Sequence, residues 1–168
     1  MKFEQALRHV LAHEGGWSDH PRDPGGATMQ GITLATYRDF KGNPSITKEQ
    51  LRAIPPGDVS NIYLVRYWTP VRAEELPTGL DYAVFDLGVN SGVGRASRML
   101  QECLGVTVDG VIGPKTLLAA ANANRQDLIR EYCSARLKFL QGLPTWPTFG
   151  RGWARRVAEV LHTALQAN

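Results

Sequence analysis

Apolar residues in this chain recur at helical spacing, and glycines and prolines cut that pattern into short lengths. The first length is the most constrained. Positions 3, 7, 10 and 14 are Phe, Leu, Val and Glu, with Ala6 and Leu11 beside them. That spacing marks the buried side of an amphipathic helix. Gly15-Gly16 predicts its end, because glycine readily takes the left-handed conformation of a C-terminal cap. Glu14 therefore continues a core-facing stripe, where an unpaired carboxylate is costly. The expectation is a carboxyl at the lip between core and solvent, with its pKa raised by burial so that it keeps a proton near neutral pH.

Further along, residues 17–32 carry Gly, Pro, Asp and Ser with few apolar residues, and read as irregular structure or a short hairpin. Thr33 predicts the cap of a short helix through about Phe40, with Leu34 and Tyr37 facing inward. Thr47-Lys48-Glu49-Gln50 is a capping-box pattern, and Pro55-Pro56-Gly57 predicts a stop. Asp58 then predicts a cap, ahead of Val59, Ile62, Tyr63, Arg66 and Tyr67 at helical spacing. Pro77-Thr78-Gly79 reads as the seam of the chain. Beyond it, helices are expected over about 80–89, 94–104, 114–122 and 126–141, and from about Trp153 to the end. Pro144 and Pro147 bracket a loop holding Trp146. Strand signals are few and there is no repeat, so the fold class expected is mainly α.

Composition bounds the rest. With 43% hydrophobic and 21% charged residues in 168, the chain has the profile of a globular domain. A net charge of +3 favours acidic polymers, a class that includes nucleic acid, anionic membranes and cell wall. The start, Met1 to His9, lacks the apolar core of a secretory signal, and no apolar run approaches a membrane span. The expectation is a protein made in the cytoplasm, with no stable membrane insertion. Cys103 and Cys133 fall on helix faces and are read as free buried thiols, with a single bridge as the alternative.

Glu14 is followed by Asp19 and Asp23, the latter leading Pro-Gly-Gly, a strong turn signal. A half-buried acid beside a solvated carboxylate suits glycoside cleavage. The acid protonates the glycosidic oxygen while the carboxylate activates water or steadies the transition state. On the residues alone, a helix-end glutamate and turn-forming aspartates remain an equal reading.

His13-Glu14-Gly15-Gly16-Trp17, then Asp23-Pro24-Gly25-Gly26-Ala27-Thr28-Met29-Gln30-Gly31-Ile32-Thr33, closely resembles the N-terminal motif of glycoside hydrolase family 108. These are lysozyme-like muramidases of phage endolysins and of bacterial proteins linked to secretion. The order glutamate, aspartate, threonine is also similar to the catalytic triad of phage-type lysozymes, although Thr28 arrives one residue early. The resemblance implies Glu14 as general acid, with Asp23 and Thr28 holding or activating water; Asp19, a candidate from the loop's residues alone, is the reserve carboxylate. It also implies a lysozyme-like helical domain over 1–168. Residues 1–78 would be its catalytic lobe, and 79–168 a helical lobe with the family's peptidoglycan-binding region.

Other stretches carry weaker signals. Phe85 to Gly92 resembles the family's second signature, implying that Asn90 contacts substrate; capping the helix is an equal reading. Asp109 to Thr116 resembles a stretch shared by peptidoglycan-binding modules, and also explains itself as a turn followed by a helix start. Trp17, within the acidic loop, is the aromatic favoured to stack on sugar. Arg136, Arg151, Arg155 and Arg156 form a basic C-terminal cluster, read as the solvated cationic face of a terminal helix packed by its apolar stripe, with attraction to anionic wall or outer-membrane lipid as the alternative. His9 and His13 lack the His-Glu-x-x-His pattern of a zinc hydrolase, so no metal and no cofactor are expected.

The function expected from this resemblance is cleavage of the β-1,4 bond between N-acetylmuramic acid and N-acetylglucosamine. A lytic transglycosylase and a non-catalytic wall-binding protein are the alternatives. The partner expected is the peptidoglycan glycan strand, met by a monomer in the periplasm after a holin-like or other release, with no nucleic acid.

Overall fold

The computed structural model of the protein describes residues 1–19 and 26–168. They form two compact units, Leu7–Val65 and Met1–Ala6 with Arg66–Asn168. Helix α1, Phe3–His13, buries Phe3, Ala6, Leu7 and Val10 as its spacing predicts. Glu14 follows directly, its backbone N–H still donating to Val10 O at 3.3 Å. The expected left-handed glycine cap is absent, for neither Gly15 nor Gly16 has a positive φ. The chain leaves the helix instead to form an antiparallel bridge from Ser18 to Thr28.

In the Leu7–Val65 unit that bridge leads into a hairpin. Strands β1, Thr28–Met29, and β2, Ile32–Thr33, are antiparallel with Met29 opposite Ile32. The two residues between them, Gln30 (φ 49°) and Gly31 (φ 75°), are both left-handed, the signature of a type I′ turn. Thr33 then caps α2, Leu34–Lys41, by accepting from the Thr36 N–H. Thr47 and Gln50 close the full capping box of α3, Lys48–Arg52.

Helix α4, Pro56–Tyr63, starts on the proline expected to break the chain. A proline in the first turn costs nothing there, because its missing N–H would have had no helical partner. Asp58 is consequently not the cap. Its carboxylate instead accepts from the Tyr37 hydroxyl at 2.8 Å and from Lys41 Nζ at 3.1 Å.

The larger unit is built around α5, Leu80–Ser91, whose residues Leu80 to Gly88 are all buried. A helix apolar on every side has to be enclosed. Phe85 meets Trp68 edge-on at 5.3 Å between ring centroids, and Phe3 packs on both rings. Gly79 precedes α5 with φ 88°, where a Cβ would run into the Ala164 carbonyl. Around α5 lie α6, Val93–Leu104, α7, Pro114–Asn122, and α8, Arg125–Gln141. The last helix, α9, spans Trp146–Gln166 and begins earlier than expected. Pro147 sits in its first turn, where the missing N–H is again harmless. The protein is mainly α with a small hairpin after the first helix.

Candidate active site

Glu14 is partly exposed at the end of α1, where the stripe meets solvent. What faces it is the type I′ turn. A Cβ built on Gly31 would stand 2.9 Å from Glu14 Oε2 and 2.7 Å from the Tyr63 hydroxyl. Tyr63, 1% exposed, donates that hydroxyl to Gln30 O at 2.8 Å. The turn, the carboxylate and the phenol thus meet at one glycine, where a Cβ would have to displace the ends of both side chains.

Thr28 lies beside this turn and is paired through its backbone on both sides. It donates to Ser18 O at 2.8 Å, accepts from Ser18 N at 3.0 Å, and stands opposite Thr33. The bridge carries Trp17 and Asp19 along with it. The Arg52 guanidinium sits 5.7 Å from the Trp17 ring centroid, a cation–π distance. Lys48 Nζ donates to both oxygens of Asp19, at 3.1 and 3.0 Å. Asp23 lies outside the described residues.

Asn90 belongs to the larger unit, near the end of α5. Its Oδ1 accepts from Arg136 Nη2 at 3.2 Å and from Ser91 Oγ at 3.3 Å. Arg136 also donates to Asp86 Oδ2 at 2.6 Å, and Arg156 donates to both Asp86 oxygens. Burial alone would push the Asp86 carboxyl up, but the two guanidiniums outweigh it and hold the group below the ordinary carboxylate value. Arg136 is 1% exposed, so it and Arg156 are not part of a solvated cationic face. A buried carboxylate on the neighbouring helix draws them inward, while Arg151 and Arg155 stay exposed.

A sequence model for the family Glycosyl hydrolase 108 matches residues 7–92. The chain belongs to this family. A second model, described as Predicted Peptidoglycan domain, matches residues 95–158 of this family 108 chain. Among solved structures, one of Brucella abortus SagA is similar at 45% identity, with a TM-score of 0.86 over 97% of this chain and 93% of that one. Among curated proteins, none matches. The family 108 chain is a glycoside hydrolase with a lysozyme-like fold, and the two matches together make it a peptidoglycan hydrolase.

Within this family 108 fold, sequence reasoning singled out Glu14 but not the groups that position it. Tyr63 was legible only as a core residue at helical spacing, and Gly31 only as part of a loop. Gly31 before Ile32 is the signal for the turn, while Gln30 is not a residue that a type I′ turn favours. Lys48 and Arg52 hold Asp19 and Trp17 from α3, and no local pattern announces that pairing. Among the described residues, no group of three or more His, Cys, Asp or Glu is arranged to hold a metal ion. No helix among them is long and apolar enough to cross a membrane.

Proposed function

We propose that the enzyme is an N-acetylmuramidase acting on cell wall in the periplasm. Glu14 donates its proton to the oxygen joining C1 of N-acetylmuramic acid to the next N-acetylglucosamine, and that C–O bond breaks. Asp23, assisted by Thr28, draws a proton from the attacking water, which supplies the new hydroxyl on C1. Trp17, Asp19 and Asn90 contact the glycan. The observation that carries this reading is the Glu14 carboxylate at the end of a core-facing helix, set against the glycine of a tight turn.

Digestion of purified sacculi, followed by mass spectrometry of the fragments, tests the reaction. Hydrolysis gives a reducing muramic acid end. A product lighter by one water, with the sugar's own hydroxyl closed onto C1, would mark a lytic transglycosylase. Binding without any fragment would mark a non-catalytic wall protein.

A further inference from the structure

The geometry points to a second binding site, in the groove between α6 and α8, for the carboxylates of a peptidoglycan stem peptide. The groove has a volume of about 670 Å³ and is lined by Arg95, Arg98, Glu102, Lys138 and Phe139 over a floor that includes Met99. Such a volume suits a small ligand rather than a whole polymer. Arg95, Arg98, Met99 and Glu102 lie on one face of α6, at spacings of three and four residues.

The cations are held in place without being neutralised. Arg95 Cζ lies 4.2 Å from the Phe139 ring centroid, so the ring face positions the guanidinium. Arg98 is seated between two glycines. A Cβ on Gly110 would stand 3.1 Å from its Cζ, and one on Gly94 would stand 3.2 Å from its Nη1. Lys138 extends from α8 and is exposed. Among the described residues, none of the three has a carboxylate within ion-pair distance. Glu102 is the acid on the wall, and Asp109 is a more distant neighbour of Arg98.

The chemistry of the polymer selects the occupant. This inference rests on peptidoglycan being the partner. Its glycan backbone is neutral once the lactyl carboxyl of muramic acid is joined in an amide to the stem. The ionised carboxylates are then those of the stem peptide. Preplaced guanidiniums bind such groups through charge-assisted pairs of hydrogen bonds. A groove of this charge therefore reads the stem, while the Glu14 unit reads the sugar.

The test uses the full chain carrying Glu14→Gln, titrated calorimetrically with a synthetic stem tetrapeptide, an N-acetylglucosamine pentamer and inorganic phosphate. The tetrapeptide is expected to bind. Arg95→Ala with Lys138→Ala weakens it at least about tenfold, the loss of a charge-assisted contact. Arg130→Ala, which removes one positive charge elsewhere on α8 just as Lys138→Ala does, leaves it intact. Lys138→Ala alone, which cannot disturb the Arg95–Phe139 stack, gives a smaller loss in the same direction. The site is refuted by absent tetrapeptide binding, by binding that the double variant retains, or by phosphate binding as tight and equally dependent on Arg95 and Lys138. Parallel loss of the pentamer would also refute it. Since binding is read without turnover, failure here leaves the Glu14 assignment standing, and failure of that assignment leaves this result unchanged.

Discussion

Glu14 Oε2 lies 2.9 Å from the point at which a Cβ would stand on Gly31. A larger residue there is opposed twice over, by the carboxylate and by a φ of 75°. Gly31→Ala should cost about 1–2 kcal/mol in left-handed strain, or roughly 2–8 °C in melting temperature. It should also displace the acid, and misplacements of this size slow catalysis on the order of 10²-fold. A thermal melt and a sacculus-clearing rate on the same preparation check both.

Tyr63 supports the turn from the other side. Tyr63→Phe keeps the ring but leaves the Gln30 carbonyl without its donor. A stability loss of about 0.5–1.5 kcal/mol is expected in urea unfolding. The clearing rate should fall by less than in Gly31→Ala, because no atom is pushed into the carboxylate.

In the larger unit, Asp86 holds Arg136 and Arg156 together. Asp86→Asn sets a neutral amide where the carboxylate faced Arg136 and Arg156, and should cost about 3–5 kcal/mol. The sign of the acid effect follows from the lowered carboxyl. Its contribution is complete above the unfolded value of about 3.9 and is lost as pH falls through the lower folded value. Urea unfolding across an acid series should show a steeper loss in the wild type than in Asp86→Asn, where Asp58 and the other lowered carboxyls still titrate.

The thiols give a chemical check on packing. Burial pushes Cys103 up to about 11, with Glu131 and Glu102 adding to it, and pushes Cys133 up to about 12. At mildly alkaline pH the native protein should react with a disulfide reagent on the order of 10²-fold more slowly than the unfolded chain. Both thiols should then titrate in urea.

Mean fold class was legible because helical spacing and caps are local signals. Thr33, Thr47 and Gln50 do what their types do at helix starts. Prolines misled in part: α3 does stop before Pro55, but Pro56 also opens the next helix, and Pro147 lies in the first turn of the last one rather than in a loop. The glycines after Glu14 also gave the right helix end by the wrong conformation. Arg136 and Arg156 were misassigned because their partner, Asp86, is distant in sequence. Glu14 stood out on a periodicity that a carboxylate should interrupt. Tyr63, equally close to Gly31, carried no such contradiction, since a buried tyrosine at helical spacing looks like core.

The release of new reducing ends from purified sacculi, by wild type beside Glu14→Gln, bears most directly on the proposed chemistry. The side chains differ little in size, but the amide has no carboxyl proton to give. A rate at least ~10²-fold lower, in a variant that melts with the wild type and still sediments with the wall, is the expected result. Reducing ends released by Glu14→Gln at the wild-type rate would contradict the assignment of the acid.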